Sequence, residues 1–493
     1  MPLAGAFLTP LVDVLAKRMN HPRARDYFAL AVTVGTLLLV VDMATSVLGG
    51  DILVYKLGGW APPLGINLAI DGLGLLVGLI VAGISTLVVI YSFVFMRQES
   101  GLGQYYTLML LLTAGMMGVA FTGDIFNLYV FFEIMAISSY ALVAFRRSKI
   151  SIEGAIKYLI VGSLGTSFIL LGIALLYGST GTLNIADIAS KLAVINTTSG
   201  STPLISIIAL TLFVVGFGIK IGMIPFHAWL PDAYQAAPSP ISAIMAGGTA
   251  IVGVGALLRV SYFIFGAPMV GPLLIGLGLV TMVLGAFMAL VQRDLKRLLA
   301  YSGISQMGYI LLSIGLGTAL GIKGGLFHML NNAVYKSLLF LAVGAIIYRV
   351  KTSRIDELGG LGRKMPITAG VFLVGALALA GMPPFNGFAS KLTIFLAGID
   401  AGYPILSGIA AIISVVTLAY MIRAFIAVFL GPQTGRFENV KEAPRSMLFP
   451  MMVLAAVCVV LGVLPQLGFS AVEPAQEVLL NPSSYIGEVI PGA

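Results

Sequence analysis

The chain has 493 residues; 59% are hydrophobic, only 10% are charged, and the mean hydropathy is +1.03. Soluble domains carry about 25% charged residues, so a chain this poor in charge cannot cover itself in water. Disorder and a soluble enzyme are excluded, and the sequence reads as an integral membrane protein. The single cysteine, Cys458, removes disulfides, Cys-ligated zinc and iron–sulfur clusters, and three histidines with no pair at helical spacing leave no haem site. No cofactor, no metal and no electron transfer within the chain are expected.

Apolar runs long enough to cross a bilayer fall near 2–16, 27–48, 71–95, 105–123, 125–145, 154–177, 204–229, 239–262, 269–292, 299–317, 321–348, 367–396, 403–430 and 447–465. The expectation is an all-α polytopic protein of about fourteen transmembrane helices, with no soluble domain and no domain linker. The longest polar stretch, 178–203, joins spans 6 and 7. Of the 28 Lys and Arg, 19 lie in loops after odd-numbered spans, Lys296 and Arg436 among them. Four lie in loops after even-numbered spans, Arg259 among them, and the other five fall within spans. This asymmetry predicts a multi-pass cell-membrane protein whose odd loops face the cytoplasm and whose termini both face outside. The net charge of +8 is thus a topology signal and does not imply nucleic-acid binding.

In chain order, the charges inside spans carry the chemistry. A charged side chain at mid-bilayer costs on the order of 3 kcal/mol even on the lenient insertion scale, and such residues face a bundle interior or a water-filled path. Glu133 lies near the middle of span 5, Lys220 in span 7, Lys336 deep in span 11 and Lys391 past the middle of span 12. The bland alternatives are a structural ion pair for Glu133 and Lys220 and snorkelling for Lys391. Lys157 and Arg423, near span ends, read as snorkelling residues. His227 lies near the end of span 7 beside Trp229, where an interfacial role and an ion-path role compete. In span 11, His328, Asn332 and Lys336 recur every four residues, which lines them along one helix face. Such a stripe can carry a water wire or simply bond between helices.

Two spans contain proline. Pro225 leaves the carbonyl of Ile221 without its helical donor, and Pro383 and Pro384 do the same for Leu379 and Ala380. In a bilayer those carbonyls must find partners in protein or water. GMIPF at 222–226 matches GMPPF at 381–385, five spans apart. An odd unit length requires alternate copies to have opposite topology, which predicts two inverted five-helix repeats, spans 4–8 and 9–13, each with a broken helix. The predicted divisions are 1–104, 105–262, 263–430 and 431–493.

The segments GDIFNLYVFFEIMAISSYALVAF, IKIGMIPFHAWLPDAYQAAPSPISAIMAG, DLKRLLAYSGISQMGYILL, LFHMLNNAVYKSLLFL and GMPPFNGFASKLTIF together resemble the antiporter-like membrane subunits. These occur in Mrp-type cation/proton antiporters, membrane-bound hydrogenases and sulfur reductases, and respiratory complex I. The similarity covers about residues 60–430, and the wording of span 5 is closest to the D-type Mrp subunit. The resemblance implies a proton path along the mid-membrane plane: Glu133 paired with Lys220, continued by His328 and Lys391. It also implies other membrane subunits as partners, with H+ and, in exchange, Na+ as the ions. The sequence departs from the family at two places. Ile251 stands where many relatives carry a bridging lysine, and Asn332 where they often carry a second histidine. Gly247, Gly248, Gly253 and Gly255 suggest room for water beside Ile251.

These features predict an ion-translocating subunit of an antiporter or of an ion-pumping oxidoreductase, with no catalytic centre in this chain. Glu133 holds the proton on Lys220, and separating the pair releases it, because a buried amine keeps its charge best beside a carboxylate. A non-conducting scaffold subunit and a stand-alone secondary transporter remain as alternatives at this point.

Overall fold

The computed structural model describes residues 1–490 except Pro22, Gly200, Ser201, residues 433–436 and Glu438; Arg436 therefore lies outside the described residues. The chain opens with α1 (Pro2–Arg18) and α2 (Ala24–Val47), followed by an antiparallel hairpin of β1 (Leu53–Lys56) and β2 (Asn67–Ile70). Then come α3 (Gly72–Phe95), α4 (Leu102–Phe121), α5 (Ile125–Val143), α6 (Lys149–Thr180), α7 (Ile185–Ser199), α8 (Leu204–Ile221), α9 (Trp229–Ala236) and α10 (Ser239–Ile244). One π turn, Met245–Thr249, carries α10 into α11 (Ala250–Phe265). The rest is α12 (Ala267–Leu290), α13 (Leu295–Gly315), α14 (Ala319–Val350), α15 (Pro366–Ala380), α16 (Asn386–Asp400), α17 (Pro404–Phe425), α18 (Arg445–Val463), α19 (Pro465–Leu480) and α20 (Pro482–Val489).

Twelve helices of the described residues are long and apolar enough to cross a membrane. The other two expected spans correspond to α1, of 17 residues, and to the pair α15 and α16, of 15 residues each. The chain is nearly all-helical; the hairpin corrects the all-α expectation, because four-residue strands leave too short a pattern to stand out between spans. The stretch read as a polar connection holds α7, and the C-terminal tail holds α19 and α20.

The run Ser239–Phe265 is buried along its whole apolar window and α14 along 83% of its own, so polar groups on these helices face protein. Close helix contact relies on glycine at a few points. A β-carbon on Gly308 of α13 would stand 2.3 Å from the Met282 nitrogen of α12, so the two backbones touch there.

Two local arrangements occur twice. Asp124 caps α5 and bridges to Asn184, while Asp294 caps α13 and bridges to Arg354, each partner 170 positions further along (124 to 294, 184 to 354). The backbone bonds match as well: Ile125 N to Leu183 O (2.9 Å) and Ile185 N to Gly123 O (3.0 Å) correspond to Leu295 N to Ser353 O (2.9 Å) and Ile355 N to Arg293 O (2.8 Å). The second arrangement is the break. α8 ends at Gly222 (φ 75°) and α15 at Gly381 (φ 80°), left-handed caps that suit glycine. Met223 N then bonds Gly218 O and Phe226 N bonds Met223 O; Met382 N to Leu377 O and Phe385 N to Met382 O repeat that pattern 159 positions on (223 to 382).

Candidate functional site: a polar line through the helix interior

The second break explains the position of Lys391. α15 stops at Ala380, and α16 starts again at Asn386. The carbonyls left over are those of Leu379 and Ala380, as the prolines require, and the Lys391 Nζ donates to both, at 3.0 and 3.4 Å. A third bond goes to Ser414 Oγ of α17 at 3.1 Å, and the amine lies 4.7 Å from the centre of the Tyr309 ring. Lys391 is 1% exposed, so it does not snorkel to an interface.

One residue before it, Ser390 Oγ lies 2.9 Å from His328 Nδ1, and the other ring nitrogen faces Gln306 Oε1 at 3.1 Å and the Tyr335 hydroxyl at 3.4 Å. His328 thus joins α14 to α13 and α16. Beside it, Asn331 and Asn386 tie α14 to α16 through two bonds of 3.0 and 2.9 Å. Two turns on from His328, Lys336 donates to Leu299 O (2.9 Å) and Ser302 Oγ (2.5 Å) of α13. All four of Lys336, Asn332, His328 and Lys391 are at most 1% exposed. Asn332 stands between His328 and Lys336 with neither side-chain atom hydrogen-bonded. It lines a small cavity with Lys336, Gly303, Tyr234, Leu230 and Ile221, whose space for water centres is about 10 Å³. That is room for roughly one water.

Ile221 is also the neighbour of Lys220, so the cavity separates this line from a second, shorter one. Lys220 is 7% exposed and donates to the Tyr140 hydroxyl at 3.2 Å. The expected ion pair with Glu133 is not formed, although Glu133 remains within electrostatic range of the amine. Glu133 is half-buried and lines an open cleft of about 510 Å³ between α5 and α6, with Tyr140 and Ser163 as polar neighbours. The Tyr140 ring packs edge-on against Tyr158 (4.5 Å), which stacks on Trp229 (4.0 Å) at the start of α9. Trp229 Nε1 donates to Ile219 O at 2.9 Å, so the first break is closed on Ile219 by an indole rather than by a lysine. His227 is half-buried in that break, its ring 6.3 Å from that of Tyr301 and its Nδ1 without a hydrogen-bond partner. Pro225, Pro383 and Pro384 are all exposed at the surface of the chain.

The span-end residues Lys157 and Arg423 are exposed, whereas Arg259 and the glycines near Ile251 stand otherwise than the sequence suggested. Lys157 is ion-paired with Asp232 (2.7 Å) and Glu153 (2.8 Å), whereas Arg423 is exposed and bonds Gln292 O. Arg259 is no loop residue: it is buried in α11 and bound to Asp71 at 2.6 Å, with Phe263 and Tyr485 flanking it. Nor do the glycines around Ile251 leave space. A β-carbon at Gly247, Gly248, Gly253 or Gly255 would come within 2.1 to 3.3 Å of Ser337, Met116, Ile221 or Val77 respectively. Tyr140, Gln306, Ser390, Tyr309 and Ser302 were missed because uncharged polar side chains are common in spans and cost little there. The one signal was their helical spacing: Ser302, Gln306 and Tyr309 recur on one side of α13. No group of three His, Cys, Asp or Glu among the described residues is placed to hold a metal ion.

Residues 122–417 match the family described as NADH:quinone oxidoreductase/Mrp antiporter, TM, and residues 62–106 match the N-terminal family of complex I chain 5. The chain is 38% identical over 469 residues to the NADH-quinone oxidoreductase subunit N of Desulforudis audaxviator, covering 91% of this chain and 92% of that one. It is 31% identical over 490 residues to the D-type subunit of the Na+/H+ antiporter of Alkalihalophilus pseudofirmus, covering 99% and 97%. Among solved structures it superposes on a chain of the membrane-bound sulfane sulfur reductase, an archaeal respiratory membrane complex. The TM-score is 0.90, at 34% identity over 99% of this chain and 98% of the other.

Proposed function

Since the chain belongs to the NADH:quinone oxidoreductase/Mrp antiporter family of membrane proteins, we propose that it translocates H+ as one subunit of a multisubunit membrane complex, with Na+/H+ exchange as a second form of the same transport. The observation that carries this reading is the buried line Lys336–Ser302, Gln306–His328–Ser390 and Tyr309–Lys391, which runs through the bundle instead of facing lipid. His328, Lys336 and Lys391 are its proton-holding members, and Glu133 and Lys220 are those of the shorter line beyond the cavity. Asn332 and His227 stand beside the line. Tyr140 serves as the contact that Lys220 uses in place of a carboxylate.

The fold is best read as fourteen spans, with α1 and the α15–α16 pair completing the twelve, and with units at 105–262 and 263–430 between residues 1–104 and 431–493. The matched caps at Asp124 and Asp294, and the matched breaks at Gly222 and Gly381, support two copies of one unit. With fourteen spans the two caps fall on opposite membrane faces, as an inverted repeat requires. The basic-rich loops support odd loops in the cytoplasm and both termini outside.

The small cavity between Lys220 and Lys336 favours one other reading, a subunit that assembles without conducting. It is too small for an organic solute, which argues against a stand-alone transporter. Proton movement by the complex in sealed vesicles decides between conduction and scaffolding. Lys391→Ala and Glu133→Gln should each remove most of it while the subunits still co-purify. Undiminished movement in both would assign the ion to another subunit.

A further inference from the structure

Lys296 is a buried lysine outside the set just described. It stands in the first turn of α13, 4% exposed. Its amine is satisfied by carbonyls: Nζ donates to Gln235 O at 2.9 Å and to Ala237 O, at the C-terminal end of α9. The charged groups around it are Asp294, whose carboxylate accepts the Lys296 backbone N–H at 2.9 Å, and Arg146 from the loop after α5. An exposed lysine or arginine could bond the same carbonyls without leaving water, so capping alone does not account for its burial.

Its position along α13 gives a second reason. Lys296, Leu299 and Gly303 recur at helical spacing and share one side of the helix. Leu299 O and Ser302 Oγ hold the Lys336 amine, and a β-carbon on Gly303 would lie 3.8 Å from that same Nζ. Further along α13, Gln306 meets His328 and Tyr309 lies under Lys391. The facing wall is α9. Gln235 and Ala237 at its end hold Lys296, while Leu230 and Tyr234 line the cavity shared by Asn332 and Lys336. Lys296 is therefore the end member of a strip whose other polar groups all touch the mid-membrane line.

We propose that Lys296 is a further proton-carrying residue, passing protons between the membrane face at the start of α13 and Lys336 by way of the cavity lined by Tyr234 and Asn332. In each transfer an N–H bond breaks at one lysine and an N–H bond forms at the other, with a water in the cavity as carrier. Asn332 supplies one free donor and one free acceptor to orient that water. The assignment rests on the ion-translocation reading above.

The test uses the assembled complex in sealed vesicles, with internal pH followed by a dye. Lys296→Arg keeps the charge and the bonds to Gln235 and Ala237, but arginine holds its proton. Transport should fall by roughly tenfold or more with the subunits still co-purifying. Lys296→Arg at the parental rate overturns the assignment, because a cap would be preserved. Where Lys296→Arg fails to assemble, Lys296→His decides. Imidazole titrates at about 6.5, so the rate–pH profile should move to lower pH, and an unmoved profile overturns the assignment. Loss in Lys391→Ala with normal Lys296→Arg removes Lys296 alone. Transport intact in Lys391→Ala removes the reading on which it rests.

Discussion

The Lys220 amine meets the Tyr140 phenol: Nζ lies 3.2 Å from the hydroxyl and 5.8 Å from the ring centre. Glu133 and Tyr140 are seven residues apart on α5, two turns along the same face. The carboxylate borders the open cleft, while the phenol holds the amine in the interior. Tyr140 thus stands between a group that can reach the chain's perimeter and one that cannot.

Tyr140→Phe keeps the edge-on ring contact with Tyr158 but removes the hydroxyl. A hydrogen bond to a charged group contributes about 1.5–3 kcal/mol. Proton transport by the complex should drop severalfold with normal assembly. Wild-type rates in this variant would show that Lys220 does not depend on the phenol.

Lys391→Ala removes the donor to Leu379 O and Ala380 O. Ala380 O keeps the Ser414 hydroxyl at 2.7 Å, but Leu379 O is left unsatisfied, which costs about 1–3 kcal/mol, so this variant should lower the melting temperature of the purified complex as well as its transport. Ser414→Ala removes one of three partners and should have a smaller effect on both. Equal melting temperatures for Lys391→Ala and the parent would mean that water replaces the amine at the break.

The Asp71–Arg259 pair is 0% and 2% exposed. Removing one partner of a buried pair typically costs about 3–5 kcal/mol, because the other charge is left alone. Arg259→Met should therefore reduce the amount of assembled subunit sharply. Asp71→Asn, which keeps an acceptor for the Gly74 N–H, should restore part of it in the double variant. A double variant no better than Arg259→Met would show that packing against Phe263 and Tyr485, rather than charge, is what Arg259 contributes.

Ile251→Lys should not be tolerated. Ile251 is 0% exposed, and Gly247, Gly248, Gly253 and Gly255 all back directly onto neighbouring atoms. Assembly, read by co-purification, should fall, and a well-assembled Ile251→Lys complex would require unfilled space that the packing does not show.

The helices were legible because so many twenty-residue apolar runs in one chain can be kept from water only by a bilayer, and prolines inside them named the carbonyls that Lys391 now serves. The stripe of His328, Asn332 and Lys336 followed from spacing alone. Pairing across long separations did not. Asp71 and Arg259 are 188 residues apart and each sits near a span end, where charge is ordinary. Lys296 looked like one more basic loop residue for the same reason. The Glu133–Lys220 pairing rested on the cost of isolated charge, and the structure meets that cost with a phenol and an open cleft. The glycines near Ile251 read as empty space, but glycine in a packed helix more often marks where a neighbour comes close.

Lys391 also sets a count of hydrogens. A protonated amine has three, and the three acceptors Leu379 O, Ala380 O and Ser414 Oγ use them all. A neutral amine has two and a lone pair, and the Ser414 hydroxyl, which donates to Ala380 O at 2.7 Å beside the charged amine, can donate to that lone pair instead. A proton that leaves Lys391 must therefore either turn the Ser414 hydroxyl away from Ala380 O or release one tether between α16 and the end of α15 or the flank of α17. The charge on Lys391 and the pattern of hydrogen bonds at the interrupted helix are in this way two readings of one variable, and a probe of either reports the other.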